Sequence, residues 1–387
     1  MMYKEPWSKK HKQDMLGLQY SFSNSFSEPL TTRELIDYSL ARGDDQLVDD
    51  YYNHPLDYTP NGGSLDLKEA VAGLYGPDIN AENILIFAGC QAALQTAAYA
   101  VLDSDSHSIV FTPGYQSVQQ APEHALSDTT KIQLYAKNHW QIDPLEVERA
   151  IKSNTRYIVL NEPYSPAGTL MKASVQQALI AIARQHNITL LCDEAYRLLE
   201  HSKDDTLPSM ADVYENGISA CAISKPWGGC GISIGWLALQ DLKLKQKLMD
   251  IQYFGTACPS RASEIQAIMA LRASDTILKK NVDIILKNLQ LLDQFMARYS
   301  DLFAWVRPTA GTVAFVEFKG PLTSLELGDQ LAKEGISIKP TYCFTDDISD
   351  YESYFRIGFG EKVMPNRLDA LIRFVEKHKQ TWQSNSA

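Results

Sequence analysis

Between residues 84 and 238, short apolar runs alternate with helical patterns, and this alternation limits the possible folds more than any other feature of the chain. The runs cover 84–87, 109–111, 132–135, 157–160, 188–192, 220–224 and 232–239. Each has strand length, and several are rich in β-branched residues. Helical patterns, such as 91–102 and 174–186, lie between them. A chain that alternates in this way buries its strands in a mostly parallel sheet with helices on both faces. Such sheets bind ligands at the carboxyl ends of their strands, so chemistry is expected just after each run.

At 387 residues, 45% of them hydrophobic, the chain is long enough for more than one core. The stretch 275–299 is helical in pattern and free of Gly and Pro, and it reads as a spine between two units. Beyond it, 312–318, 336–339 and 355–359 read as strands, and 324–334 and 366–378 as helices. The first 50 residues are polar, are broken by Gly17, Pro29 and Gly43, read as irregular, and either complete the small domain or cover an active site. The expected layout is an N-terminal segment, 1–50, joining a small domain; a large domain, 51–275; and a small α+β C-terminal domain, 276–387.

Net charge and cysteine usage narrow the function. The formal charge is −11 and no long Lys/Arg run occurs, so nucleic acid and anionic membranes are not expected partners. No run of 18 apolar residues occurs, and MMYKEPWSKKHKQDML has no apolar signal core. Cys90, Cys192, Cys221, Cys230, Cys258 and Cys343 are scattered, with no CxxC pair or Cys/His cluster. That excludes the usual zinc patterns, so no metal is expected, and it suits a reducing compartment. A cytoplasmic protein is the expectation.

Two residues carry the chemistry. Lys225, in AISKPWGGCGISIGW, follows an apolar run and precedes a Gly-rich turn. A desolvated lysine there has a lowered pKa and forms an imine with an aldehyde, whereas an isolated loop lysine is simply solvated. Asp193, in LCDEAY, closes the preceding run. Its carboxylate suits the protonated ring nitrogen of pyridoxal 5′-phosphate (PLP), although it also suits a helix cap. A lysine one strand later favours the first reading.

Four segments then resemble the class I/II aminotransferases, the aspartate aminotransferase family: YTPNGGSLDLKEAV (58–71), NEPYSPAGT (161–169), DEAYR (193–197) with SKPWGGCGISIGW (224–236), and FRIGF (355–359). The resemblance implies PLP fold type I, with a mostly parallel seven-stranded sheet between helices and a smaller α+β domain. It makes Lys225 the Schiff-base lysine and proton shuttle, and Asp193 the partner of the ring nitrogen. Tyr196 matches the tyrosine that bonds the ring oxygen, and Tyr115 the aromatic that stacks on the ring. Gly89, Cys90 and Gln91 match the phosphate turn, whose helix N-terminus favours an anion. Tyr58 matches a tyrosine serving the neighbouring subunit's phosphate, which implies a homodimer. Arg356 matches the clamp on the substrate α-carboxylate. From the residues alone, Tyr58 and Tyr115 also read as packing aromatics, and Arg356 as a surface ion pair.

The chain departs from the family pattern at three places. Ser165 stands where an Asn usually bonds the ring oxygen, Ser233 where an Arg usually pairs with the phosphate, and Ala222 where a Ser usually binds it. Arg261 is a candidate source of the missing charge. EPW (5–7), YSFSNS (20–25) and PTAGTVAFVEF (308–318) are also similar to the capreomycidine synthase group, which cyclises a hydroxylated arginine on PLP. That resemblance implies a guanidine-bearing amino acid as substrate. Asn24 and Glu5 become candidate substrate ligands, and Glu5, Glu28 and Glu162 candidate carboxylates for the guanidinium. The favoured reaction is elimination with ring closure; the alternative is transamination with a 2-keto acid acceptor.

Overall fold

The computed structural model describes residues 5–15 and 17–384. Its main sheet has seven strands: β2 (Ile84–Phe87), β3 (His107–Thr112), β4 (Asp128–Gln133), β5 (Thr155–Asn161), β6 (Thr189–Asp193), β7 (Gly217–Ala222) and β8 (Gly235–Leu239). Their order is β2-β8-β7-β6-β5-β3-β4. Only β8 runs against the others, pairing antiparallel with both β2 and β7. Every residue of β2, β3, β7 and β8 is buried, as expected of strands covered on both faces. Helices Cys90–Val101 and Leu242–Thr256 contribute to the core on one face, and helix Ala173–His186 to another apolar cluster.

A second sheet orders β12 (Lys339–Pro340), β13 (Tyr354–Gly358), β10 (Val313–Phe318) and β9 (Phe303–Trp305), all antiparallel. Its core draws on two long helices, Ser274–Arg298 and Met364–Ser384. The 25-residue helix Ser274–Arg298 is the spine read from the sequence. It packs Ile277 among the residues around Trp227 and Trp236, and Ile285, Leu289 and Leu292 into the smaller core.

The N-terminal 50 residues are not irregular, which corrects the reading above. They form helices Ser8–Met15, Thr32–Arg42 and the start of Asp45–Asn53, and the short strand β1 (Tyr20–Ser21). Thr31 and Glu34 make a reciprocal capping box, and Gly43 ends that helix with φ 80°. β1 pairs in parallel with β11 (Ile336–Ser337), beside the small sheet. Leu35 and Leu47, by contrast, join the core around Trp227 and Trp236. On that packing we propose that the N-terminal segment is shared between the two units rather than joining the smaller one whole.

Candidate active site

The carboxyl ends of β5, β6 and β7 bring the expected residues together. Asn161 and Asp193 are register partners at the ends of β5 and β6, and Asp193 faces Ala220 of β7. Lys225 follows β7 by three residues. Trp227, fully buried, fixes the turn after it by packing edge-to-face on Trp236 at 6.2 Å and donating to Ser274 Oγ at 2.9 Å. Truncating such a tryptophan typically costs roughly 3–5 kcal/mol, so the lysine stands on a firmly anchored loop.

The N-terminal segment supplies a wall beside Lys225. Ser27 N–H donates to the Lys225 carbonyl and Leu30 N–H to that of Gly228. Gly228 has φ +65°, and a Cβ there would lie 2.1 Å from the Glu28 carbonyl oxygen, so only glycine allows this approach. The pairing places Ser25 against the lysine: Lys225 Nζ donates to Ser25 Oγ at 2.8 Å, and Tyr196 OH donates to the Ser25 carbonyl at 2.9 Å. Arg356, 5% exposed, donates from Nη2 to the Ser23 carbonyl at 2.6 Å. Its Nε is buried without a partner.

The opposite side is the turn expected to hold the phosphate. Gly89 precedes helix Cys90–Val101 with φ 97°, and no side chain caps that helix N-terminus, an end that favours anions. A Cβ on Gly235 would lie 2.6 Å from the Cys90 nitrogen, so the start of β8 presses directly on this turn. Ser233 lies beside it, its hydroxyl 3.5 Å from where a Gly89 Cβ would stand. Gln91 donates to Tyr115 OH and, at 3.1 Å, to Ser117 Oγ, tying the turn to the aromatic expected to stack on the ring. Arg261 pairs with Glu264 at 3.3 Å, so that carboxylate already holds its charge.

The residues present fit PLP. Asp193 is 4% exposed. Burial pushes its carboxyl up to about 7, against the opposing pull of the Ala195 N–H and the Lys225 ammonium. A buried carboxyl so sparsely supplied with donors suits a cationic ring N–H. A helix N-terminus without a side-chain cap, suited to the phosphate, and an amine for the aldehyde complete the set. Ser165 N–H is held by Asn161 Oδ1 at 2.8 Å, while Asn161 Nδ2 donates to the Asp193 carbonyl at 2.8 Å. Asn161 thus positions the Ser165 loop and uses both ends of its amide.

The residues suggested as substrate ligands and as guanidinium carboxylates have other engagements. Glu5 is exposed and pairs with Lys9. Asn24 donates to Glu361 at 2.8 Å, and Glu361 also pairs with Arg367. Glu28 accepts from Lys362 N–H at 2.8 Å. Glu162 accepts from Met171 N–H at 2.8 Å. Tyr58, 94% exposed, projects away from this chain's packed interior.

Glu162 makes a prediction of its own. Burial first, then the neighbouring Glu200 and Glu194 charges, push its carboxyl up to about 8, against the pull of the Met171 N–H. Between the unfolded value near 4.5 and 8, the folded chain therefore binds more protons, and stability falls as pH rises. Glu162→Gln keeps the acceptor and removes the titration. Urea midpoints of the cofactor-free protein should fall less steeply from pH 5 to 8 in the variant; equal slopes would refute the assignment.

Seven strands in this order, a lysine and a carboxylate at their carboxyl ends, and a helix N-terminus for phosphate define a fold-type-I PLP enzyme. The chain matches the family Aminotransferase class I and II over residues 55–374 and belongs to it. This family is PLP-dependent, and the chain is therefore a PLP-dependent enzyme. It is 28% identical over 233 residues to the aspartate aminotransferase of Pyrococcus horikoshii, a match spanning 59% of each chain. In fold it is similar to a PLP-dependent aminotransferase from Streptococcus suis, with TM-score 0.90, 24% identity, and 97% and 99% of the two chains covered. It is also similar to the PLP-dependent cyclase OrfR, with TM-score 0.86, 21% identity and 98% of each chain covered. No described helix is long and apolar enough to cross a membrane, and no described cluster of His, Cys, Asp or Glu is placed to hold a metal.

Proposed function

We propose that this enzyme removes a side-chain hydroxyl from a free amino acid as water and closes a ring on the product, as a capreomycidine synthase-like cyclodehydratase. The observation that carries the reading is Ser25 Oγ, 2.8 Å from Lys225 Nζ. Elimination needs a base for the α proton and an acid for the leaving hydroxyl, and two adjacent proton-bearing groups provide both. PLP, when bound, supplies the electron sink at the α carbon. Lys225 takes the α proton, Ser25 protonates the departing hydroxyl, and Arg356 holds the carboxylate. Asp193 keeps the ring-nitrogen proton in place, and Tyr196 lies on the same side as Lys225. A guanidine nitrogen then forms the new C–N bond at the unsaturated β carbon, its proton restores Ser25, and Lys225 returns to the α carbon the proton it took. Ser165, Ser233 and Ala222 support this reading, because three groups usual in transaminases are replaced. So does the cyclase neighbour OrfR, as an analogy of fold.

Transamination is the second reading. It is favoured by the engagement of Glu5, Glu28 and Glu162 elsewhere: the first pairs with Lys9 and the other two each accept a backbone N–H. A single turnover with hydroxyarginine, followed by absorbance and product mass, separates the two. Loss of one water with the cofactor still an aldehyde supports cyclisation. Stoichiometric pyridoxamine phosphate with a 2-keto acid overturns it.

We also propose a cytoplasmic homodimer. All six cysteines are free, which suits a reducing compartment. Leu56, Tyr58 and Phe254 are 96%, 94% and 89% exposed. Thr59 Oγ1 donates to the Pro259 carbonyl at 2.7 Å, drawing their two segments alongside. Such apolar exposure suits burial against a second copy, where Tyr58 would reach the other subunit's phosphate. Light scattering should give a dimer, and Phe254→Ser with Leu56→Ser should weaken it about tenfold or more. A fully active monomer would rule the dimer out.

A further inference from the structure

Lys339 and Arg356 are register partners across β12 and β13. Directly opposed residues point to the same face of a sheet, so the two side chains lie next to each other. Both stand over one aromatic ring: the Arg356 guanidinium is 5.3 Å and Lys339 Nζ 5.9 Å from the centroid of Phe344. Among the described residues, neither forms an ion pair with a carboxylate. The charged and titratable groups facing Lys339 include Arg356, Lys225, Lys12 and the Cys343 thiol, and His11 bonds the adjacent Ile338 carbonyl at 2.8 Å. Burial pushes that thiol up to about 11, so it is neutral at physiological pH.

This is an unusual concentration of positive charge. Arg356 lies beside a partly buried lysine on which Lys225 and Lys12 also act as positive charges, in a chain whose net charge is −11. Partly buried like charges repel and cost free energy unless an anion joins them. The cost shows in Lys339 itself, which burial and then Arg356 hold down to about 7. The vacant donor capacity is also present, because Arg356 Nε is buried without a partner while Nη2 is committed to Ser23.

We propose that Lys339 is a second cation of the substrate α-carboxylate site, acting beside Arg356. The proposal rests on the reading of Arg356 as the carboxylate clamp. Arg356 supplies the planar fork and Lys339 a point charge on the same anion. A bound carboxylate draws a proton onto Lys339. Its affinity is therefore full below the free pKa near 7 and falls as pH rises beyond it.

The test compares acids with matched amines that lack only the carboxylate: alanine with ethylamine, and arginine with agmatine. Binding is read from the absorbance of the PLP-loaded enzyme at pH 6.5 and 8.5, and the quantity of interest is the acid-to-amine affinity ratio. The amine arm cancels the titration of the substrate amine. The wild type should prefer the acid by tenfold or more, with a ratio that falls between the two pH values. Lys339→Met should lower the ratio tenfold or more and remove the pH step. Lys339→Arg should keep the ratio and remove the step.

Equal losses for acid and amine in Lys339→Met would overturn the proposal in favour of packing. A loss seen with aspartate but not with alanine would overturn it too, since Lys339 would then read a side-chain carboxylate. If Arg356→Ala loses the preference while Lys339→Met keeps it, the clamp stands and Lys339 falls. A wild type without any preference removes the clamp as well.

Discussion

Lys225→Ala should lose at least about 10⁴-fold in turnover, because one side chain provides both the covalent attachment of PLP and the α-proton base. Borohydride treatment of the loaded wild type should leave a pyridoxyl group on Lys225 alone. The sharp control is Lys339. It is a second lysine near the cleft, and with a pKa held to about 7 it has a larger neutral, nucleophilic fraction at pH 8 than an ordinary lysine. Its place beside Arg356 on β12, away from Asp193 at the end of β6, is why it should remain unlabelled. Peptide mass mapping decides. A pyridoxyl group on Lys339, or turnover surviving in Lys225→Ala, would end the assignment of Lys225.

Much of this site was legible because its chemistry sits at strand ends. β6 and β7 are buried on both faces, so they appear as continuous apolar runs, and Asp193 and Lys225 stand out as the polar residues that follow. β4 was harder. It lies at the sheet edge, its residues DTTKIQ are mostly only partly buried, and the apolar run at 132–135 caught only its end. The N-terminal helices show both outcomes. Helix Thr32–Arg42 carried a readable signal in Thr31-x-x-Glu34 and Gly43, and it was missed. Helix Ser8–Met15, SKKHKQDM, has no amphipathic run to find. It is held by tertiary contacts such as His11 Nε2 with the Ile338 carbonyl at 2.8 Å.

Ser25 and Lys339 were beyond local pattern. Ser25 reaches Lys225 across 200 positions of sequence, through the pairing of residues 27 and 30 with the lysine loop. Lys339 becomes a neighbour of Arg356 only through the β12–β13 register, and a shift of one residue would turn it to the other face. Contacts of that kind are set by global topology, and no spacing within one segment encodes them.

Arg356→Ala should weaken amino-acid binding several-hundredfold while leaving PLP binding nearly unchanged. Arg356 is buried, and burial lowers its pKa from the ordinary arginine value, so the site has already met the cost of desolvating it. A substrate carboxylate arriving there meets a donor fork with one nitrogen unspent. Removing one partner of a buried charge pair typically costs about 3–5 kcal/mol, which corresponds to a loss of hundreds-fold or more. PLP should be spared, because its expected holders lie elsewhere: Lys225 after β7, Asp193 at the end of β6, and the turn before helix Cys90–Val101. Arg356→Lys separates charge from geometry. If it restores only part of the affinity, the planar fork matters as well as the charge. Equilibrium titration of the loaded enzyme with amino acid, set against PLP affinity measured by fluorescence, checks both halves. Unchanged amino-acid affinity in Arg356→Ala, or equal losses for substrate and PLP, would remove Arg356 from the carboxylate site.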